Sequence, residues 1–193
     1  MANRADGFGQ RLEDAGFTYE FCPIDFNWYR QLKRKLFKHW PALQQWLRGL
    51  PKPVGILAMD DTTAHDLAAA CLEADLHVPD QVAIIGVNND DLLCESAWPQ
   101  LSSVECDYQR VGYAAAELLD RLMRGERVPV AERCVRLPPK GVARRPSTDL
   151  LAVENADLAE AVRFIREHAC DPCAVGDVLR HVPVGRPWLA RNF

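Results

Sequence analysis

The amino-acid sequence contains no apolar run that approaches the roughly 20 residues needed to span a bilayer. Its first residues include Arg4 and Asp6 but no apolar segment typical of a secretory leader. Glycine-rich phosphate loops are missing as well, because Gly55 and Gly86 stand alone and no stretch matches a dinucleotide-binding or Walker pattern. We therefore expect a cytoplasmic protein that has no nucleotide cofactor and does not bind membranes.

The chain also lacks an excess of positive charge, since its formal net charge is −4 at pH 7. This net charge argues against a protein that coats nucleic acid nonspecifically. A small DNA-reading segment is still compatible with it, because such a segment need not determine the net charge of the whole chain. With 193 residues, of which 48% are hydrophobic, the chain has enough apolar content for a packed core. It can hold one large domain, or one domain and a small module.

Cysteine occurs seven times, an odd number, and mostly inside apolar stretches. That distribution favours reduced thiols that act as small core residues. His168, Cys170 and Cys173 lie close together in the sequence and are suggestive of zinc ligands. A closed zinc site needs four ligands, and only His181 follows, so we favour a helix end with a turn at Pro172 and predict no metal site.

Along most of the chain, short apolar runs alternate with segments whose apolar residues recur at the spacing of a helix. Residues 54–59 and 81–87 are continuous apolar runs, which are typical of strands buried on both faces of a parallel sheet. A predicted helix over residues 63–74 connects them, and this spacing of strand, helix and strand indicates an α/β fold. The remaining predicted elements are strands at 17–22, 101–104 and 133–137, helices at 4–15 and 41–47, a long helix from Asp107 to Met123, and a polar linker at 140–149.

Polar clusters directly follow the two predicted parallel strands. Asp60 and Asp61 follow the first strand, and Asn88 and Asn89, continued by two further aspartates, follow the second. In open parallel sheets, ligands bind outside the carboxyl ends of the strands. Carboxylates and amides without nearby cations suit a neutral polyhydroxy ligand, because they can accept from or donate to sugar hydroxyls. The alternative is that the aspartates cap the next helix and residues 88–91 form a surface turn.

A pair of carboxylates can also indicate glycoside hydrolysis, in which two acids flank the scissile bond. Asp60 and Asp61 are adjacent at one strand end, so they cannot face each other across a substrate. No other catalytic constellation stands out in the sequence. We therefore predict no catalytic residues and no enzymatic activity.

Residues 157–193 have the pattern of a helix-turn-helix DNA reader. Apolar residues from Leu158 to Ile165 recur at i, i+3, i+4 and i+7, and Asp157 stands where a helix N-cap is expected. A second short helix, a turn through residues 181–185 and a third helix beginning near Arg186 follow. Acidic residues and arginines are balanced in this stretch, so it carries little excess positive charge with which to attract DNA.

Three segments carry a resemblance to a known family: PVGILAMDDTTAHDLAAACLEADLHVPDQVAIIGVNNDD, PQLSSVECDYQRVGYAAAELLDRLMRGE and RRPST. They combine a D-D-x-x-A box, V-P-D-x-V-A-I-I-G and P-x-L-S-S-V, and in these features the chain resembles the ligand-sensing half of LacI/GalR-type sugar-responsive regulators. The tail LAEAVRFIREHACDPCAVGDVLRHVPVGRPWLARNF resembles the start of an AraC-type DNA-binding domain. A LacI-like sensor followed by an AraC-type reader is the arrangement of xylose operon regulators.

The resemblance implies a periplasmic-binding-protein-like α/β lobe with a parallel sheet, followed by a small all-α helix-turn-helix. The implied divisions are residues 1–146 for the sensor, 147–156 for a linker and 157–193 for the reader. A pentose of the xylose type is the implied ligand, contacted by Asp60 and Asn88 with Asp61 and Asn89 in support. The family usually has Asp at position 88, so the amide of Asn88 is expected to alter affinity or ligand choice.

For the reader, the resemblance implies operator DNA as the partner of the full-length parent, contacted by Arg186, Trp188 and Arg191. Family members usually carry Ser where this chain has Gly185 and a polar residue where it has Trp188. The family's first lobe and second helix-turn-helix have no counterpart here, so we expect a fragment truncated at both ends. The helix of residues 107–123 packs in that first lobe in the family, and its uncovered apolar face predicts self-association.

These observations predict a sugar-responsive transcription regulator, present as a fragment. The alternative is a sugar-binding or interaction module whose vestigial reader does not bind DNA independently.

Overall fold

Four strands in chain order form the sheet of the first part of the chain. In the computed structural model, which describes residues 2–23, 36–150 and 155–192, they are β1 (Val54–Leu57), β2 (Val82–Val87), β3 (Ser102–Glu105) and β4 (Gly141–Ala143). The sheet order is β1-β2-β3-β4; the first three strands are parallel, and β4 runs antiparallel to β3. The predicted α/β fold with a largely parallel sheet is confirmed.

The helices of the described ranges are α1 (Ala2–Asp14), α2 (Leu36–Gly49), α3 (Asp61–Glu73), α4 (Asp91–Ser96), α5 (Tyr108–Met123), α6 (Ala156–Glu167), α7 (Val175–His181) and α8 (Arg186–Asn192). Two short 3-10 turns lie at Val130–Arg133 and Pro146–Thr148. Of these helices, none is long and apolar enough to cross a membrane. The chain divides into two compact units, Met1–Leu150 and Leu151–Phe193.

The core of the first unit lies between the sheet and helices α2 and α3. Val82 and Ile84 on one face of β2 are fully buried, and Ala83 and Val87 on the other face are buried as well, as expected for a strand covered on both faces. The buried face of α3 is made of small side chains such as Ala64 and Cys71, which allow the helix to approach β2 closely. Helix α2, which packs against α3, contributes the buried Leu47 to the same core. This packing fixes the start of α3 at the carboxyl end of β1.

The strand predicted at residues 17–22 is wrong. These residues form no strand, and Phe17 and Phe21 are exposed. Within the described ranges, no strand lies beside them with which this alternating segment could pair. The ring of Tyr19 instead packs on α1 at Gly9, where a Cβ atom would overlap it.

The strand predicted at residues 133–137 and the linker predicted at 140–149 are also wrong. Residues 134–140 have no regular structure, whereas β4 forms inside the predicted linker. Pro138 and Pro139 lack the N–H that a sheet ladder requires, so pairing begins only after them. Ser147, in the same polar stretch, is fully buried. The polar composition of residues 140–149 therefore reflects hydrogen bonding within the first unit.

The second unit packs α6, α7 and α8 around Ala161, Val178, Val182 and Leu189. Its first helix begins earlier than predicted, because Asn155 is the N-cap and its Oδ1 accepts from the Leu158 N–H at 3.0 Å. Asp157, the predicted cap, lies in the first turn instead. A carboxylate there is favourable, because the N-terminus of a helix carries partial positive charge.

Candidate ligand-binding site

The carboxyl ends of β1, β2 and β3 lie at one edge of the sheet, and the two predicted polar clusters meet there. Asp61 of the first cluster accepts a hydrogen bond from the Asp90 N–H of the second at 2.7 Å. Asn89 N–H donates to the Ser103 hydroxyl of β3 at 3.0 Å. Residues that follow two different strands are thus joined into one structure at the position where ligands bind in open α/β sheets.

Asp61 is a buried structural acid, with only 1% of its surface exposed. Its Oδ2 accepts from Asp90 N–H, and its Oδ1 accepts from the Ser103 hydroxyl at 2.5 Å. Burial first, and then the nearby charge of Asp61, raises the pKa of the Cys94 thiol to about 11. A carboxylate enclosed in this way fits the supporting position expected for Asp61, and its contribution to ligand binding stays a prediction.

Gly86 of β2 provides the space for the Asp61 carboxylate. A Cβ atom at this position would overlap Asp61 Oδ1 and would also crowd Ala64 of α3. The absence of a side chain therefore allows a carboxylate to lie directly against the strand. The sequence indicated only that Gly86 is not part of a glycine-rich phosphate loop, and gave no sign of this role.

Asp60 is the N-cap of α3, since its Oδ1 accepts from the Thr63 N–H at 2.8 Å. The capping role weighed from the sequence is therefore present. Asp60 remains partly exposed, and a carboxylate has lone pairs for more than one donor. Capping orients this carboxylate at the edge of the sheet and leaves acceptor capacity for a ligand hydroxyl.

Asn88 has a backbone φ of 115°, a value that residues other than glycine rarely adopt. Its N–H donates to Val104 O at 2.9 Å, and its side-chain Oδ1 accepts from the hydroxyl of Tyr108, the first residue of α5. Such a conformation persists where surrounding bonds hold it, and it is frequent at ligand sites. The partly exposed amide of Asn88 is thereby held at the same edge as Asp60.

Arg4 and Tyr108 also belong to this site, and the sequence analysis missed both. The Arg4 Nη1 atom donates to Met59 O at 2.8 Å. The pKa of Tyr108 is raised, first by partial removal of its hydroxyl from water and then by the thiol of Cys106, and the Arg4 charge lies close enough to that hydroxyl to oppose the rise. The available signal was for Tyr108, which lies three residues after β3 in one of the segments that carry the family resemblance.

The expectation that no cation lies near the polar clusters is wrong, because Arg4 bonds the residue next to Asp60. The site combines the acceptors Asp60 and Asn88 with the donors Arg4 and Tyr108. Alternating donors and acceptors suit a ligand rich in hydroxyl groups, since each hydroxyl both donates and accepts.

Asn89 is held from two directions. Its backbone N–H bonds Ser103, and its side-chain Oδ1 accepts from Arg145 Nη1 at 2.9 Å. The predicted supporting position of Asn89 is consistent with these internal bonds, and its contribution to ligand binding stays a prediction. Arg145 was not singled out from the sequence, although it lies in the RRPST segment that carries part of the family resemblance.

The residues predicted to contact DNA lie on α8. Arg186 and Arg191 are exposed, whereas Trp188 packs partly against the apolar cluster of the second unit. Asn192 Nδ2 donates to Trp188 O at 2.8 Å and closes the end of the helix. The two arginines are therefore available to a phosphate backbone or a base edge, and contact with DNA stays a prediction.

The residues suggestive of zinc ligands have other surroundings in the structure. His168 Nδ1 lies 2.8 Å from Phe164 O, and its ring stacks on that of Phe164 with centroids 4.2 Å apart. Cys170 and Cys173 are exposed free thiols. Across residues 2–23, 36–150 and 155–192, no group of three or more His, Cys, Asp or Glu side chains is placed to hold a metal ion.

Comparison with known proteins identifies what the chain resembles. A protein-family model described as a periplasmic binding protein-like domain matches residues 1–148. The chain is 34% identical over 194 residues to the xylose operon regulatory protein of Haemophilus influenzae, covering 98% of this chain and 48% of that protein. It is also 34% identical over 151 residues to the xylose operon regulatory protein of Escherichia coli K12, covering 78% of this chain and 38% of that protein.

Solved structures give a similar result. The structure of the xylose-binding transcription activator xylR matches with a TM-score of 0.74 at 29% identity, covering 100% of this chain and 49% of that chain. A LacI family transcriptional regulator from Arthrobacter sp. FB24 matches with a TM-score of 0.60 at 28% identity, covering 76% of this chain and 51% of that chain. The chain thus spans about half, or less, of the length of these relatives.

Proposed function

The chain belongs to the family of periplasmic binding protein-like domains, and on that basis we propose that it is the sugar-sensing part of a transcription regulator that responds to a pentose of the xylose type. The relatives described above are transcription regulators, and two are named for a xylose operon. The ligand and the regulatory role are carried to this chain as proposals, because it spans only part of those proteins.

One observation carries the proposal: Asp60, Asn88, Tyr108 and Arg4, from four separate parts of the chain, lie at the carboxyl ends of the parallel strands, where Tyr108 bonds Asn88 and Arg4 bonds Met59, the residue before Asp60. Their side chains offer both donors and acceptors, and Asp60 and Asn88 are partly exposed. A neutral sugar can exchange its hydration for these groups at little electrostatic cost, because it carries no charge to desolvate.

In the whole regulator, sugar binding would change the population of two conformations and thereby the engagement of operator DNA. The expected sensor, residues 1–146, extends through Leu150, because Ser147 is buried in the first unit. We assign residues 151–156 to the connection and 157–193 to an AraC-type helix-turn-helix. DNA contacts are assigned to Arg186, Trp188 and Arg191. We expect the present chain to bind DNA weakly, since a single such reader makes few phosphate contacts and its charge is balanced.

A sugar-binding or interaction module without DNA binding is the second candidate. The partial burial of Trp188 against the helix core favours it, because that packing removes part of one predicted contact surface. Both candidate functions include the sugar site, and they differ only in whether the second unit binds DNA.

We propose that the chain is not an enzyme. A glycosidase needs two carboxylates that flank the substrate, and Asp61 is buried behind Ser103. The other two carboxylates of the clusters already have roles, since Asp90 caps α4 and Asp91 lies 3.5 Å from Arg145 Nη2. Hydrolysis of an aryl pentoside by the wild-type chain, lost in Asp61→Asn, would overturn this proposal.

We further propose self-association through α5. This helix has no fully buried residue, and Val111, Leu119, Leu122 and Met123 are exposed. An apolar helix face of this kind is unusual on a monomer. Sedimentation equilibrium should detect a dimer or larger species that Leu119→Lys dissociates, and a monomer at high concentration would contradict the proposal.

The sugar site is tested by heating the full chain with and without D-xylose. At a sugar concentration about 100 times Kd, binding should raise the midpoint of unfolding by about 5–10 °C. Asp60→Ala and Asn88→Ala should abolish the shift, whereas Glu95→Ala, which removes an exposed acid from α4, should keep it. No shift with D-xylose, L-arabinose or D-ribose would overturn the proposed sensing function.

A gel shift with a xylose-operon promoter fragment separates the two candidate functions. A retarded complex that Arg186→Ala weakens supports a DNA-binding regulator. Thermal stabilisation by D-xylose without any retarded complex supports the sugar-binding module.

A further inference from the structure

The loop that follows β2, residues 88–91, has an unfavourable backbone. Two consecutive residues, Asn88 at φ 115° and Asn89 at φ 56°, have positive φ values. Non-glycine residues adopt such values at a cost, and they persist only where the surroundings hold them. The hydrogen bonds around this loop must therefore hold it in place.

The backbone of the 88–91 loop is held from the sheet side. Asn89 N–H donates to Ser103 Oγ at 3.0 Å, and Asp90 N–H donates to Asp61 Oδ2 at 2.7 Å. These bonds fix the course of the chain but do not set the direction of the Asn89 side chain. That direction is set by Arg145.

The guanidinium of Arg145 contacts the loop at two points, and its side chain is only 15% exposed. Nη1 donates to Asn89 Oδ1 at 2.9 Å, and Nη2 lies 3.5 Å from Asp91 Oδ1. The same Nη1 donates to Leu101 O at 3.0 Å, immediately before β3. A cation with so little access to water binds its acceptors more strongly than a neutral donor does.

Arg145 is itself fixed at its backbone, which a positioning group requires. Its N–H donates to Ser102 Oγ at 2.8 Å, and Ser102 Oγ lies 2.9 Å from Arg145 O. Two residues further on, the buried Ser147 Oγ donates to Ile84 O at 2.6 Å and accepts from Ser102 N–H at 2.8 Å. The guanidinium therefore extends from a support that is bonded to both β2 and β3.

We propose that Arg145 is a positioning residue of the ligand site, which holds the 88–91 loop in the conformation that presents Asn88 to a ligand hydroxyl. It acts through Asn89, the residue directly after the ligand-contacting position. This inference rests on the proposed sugar-binding function, but the state of the loop can be measured without any sugar.

The first test is amide hydrogen exchange on the full chain without ligand, comparing wild type with Arg145→Met. The Asn89 and Asp90 amides should exchange at least about tenfold faster in Arg145→Met, because loss of the guanidinium contacts allows the loop to open more often. The Ala58 amide, bonded to Ile85 O within the sheet, should keep its wild-type rate. Arg144→Met, which changes an exposed neighbour, is the matched control and should leave all three amides unchanged.

The second test is titration calorimetry with D-xylose. Arg145→Met should bind the sugar about tenfold more weakly than wild type, and Asn89→Ala should do the same, since each removes one side of the same contact. The double variant should be no weaker than either single variant, because the two residues act in series. If Arg145→Met does not fold, Asn89→Ala measures the contact from the other side.

Each outcome has a distinct meaning. The proposed role of Arg145 would be overturned if the loop amides of Arg145→Met exchange at the wild-type rate, or if all amides, including that of Ala58, lose protection equally. Additive losses of affinity in the double variant would overturn it as well. Faster loop exchange in Arg145→Met, together with a wild-type chain that binds no pentose, would support the positioning role and overturn the proposed function.

Discussion

The carboxylate of Asp61 and the hydroxyl of Ser103 are joined by a hydrogen bond of 2.5 Å that links the turn after β1 to β3, although β2 lies between these strands. The neighbouring Asp60 caps α3 and remains partly exposed. Two adjacent acids therefore have different tasks. Asp61 holds the edge of the sheet together, and Asp60 is available to a ligand.

Replacement of these two acids should affect stability unequally. Asp61→Ala should lower the free energy of unfolding by about 3 kcal/mol, since it leaves the buried Ser103 hydroxyl and Asp90 N–H without their acceptor. Asp60→Ala should cost about 1 kcal/mol, the usual loss for a helix cap. Urea denaturation measures both, and equal losses in the two variants would contradict this division.

A methyl group at Gly86 should be poorly tolerated. Gly86→Ala forces the Asp61 carboxylate away from β2 and should lower the free energy of unfolding by about 2–3 kcal/mol. Gly55→Ala in β1 is the matched control, because nothing lies within 4 Å of the added atom, and it should change the value by less than about 1 kcal/mol. Similar values for both variants in urea denaturation would show that the space at Gly86 is not needed.

The amide of Asn88 should limit sugar affinity. In Asn88→Asp, one carboxylate oxygen can keep the Tyr108 hydroxyl while the other accepts from a ligand hydroxyl, so D-xylose should bind about fivefold to tenfold more tightly. Titration calorimetry measures the change. Asn192→Asp adds the same charge at the exposed end of α8 and should leave affinity unchanged. An unchanged or weaker Kd in Asn88→Asp would refute the expected gain.

The cysteines should differ widely in reactivity. Burial raises the pKa of both Cys71 and Cys94 to about 11, so at pH 8 only about one molecule in a thousand carries either thiolate. The thiolate fraction becomes large only as the pH approaches the raised pKa. Labelling at these two positions should therefore increase steeply above pH 10. Cys134 and Cys173 are exposed and should react first with iodoacetamide at pH 8. Mass spectrometry locates the labels, and Cys94 modified as fast as Cys134 in the folded chain would contradict the prediction.

Sequence patterns predicted the parallel part of the fold because its elements carry strong local signals. β1 and β2 are continuous apolar runs, and α3 begins at an aspartate after the first of them. β4 escaped prediction because it has only three residues, Gly141–Ala143, and its first two are exposed. Its pairing with β3 is a long-range contact that leaves no periodic pattern in the sequence.

The candidate site was predictable only in part, for a similar reason. The polar residues that end β1 and β2 stand next to strong strand signals. Arg4 reaches the site across 55 positions of sequence, and Arg145 reaches Asn89 across 56. Neither distance leaves a local signature, and only for Arg145 did the family resemblance, in the RRPST segment, point toward the residue.

The burial of Ser147 determines where this protein can be divided. A piece ending at residue 140 would lack β4 and would leave the Ile84 carbonyl and the Ser102 amide without the hydroxyl that bonds them. The edge of β3 would then be open to pairing with another chain, a common route to aggregation. A sensor produced by itself, or fused to another effector, should therefore retain every residue through Leu150.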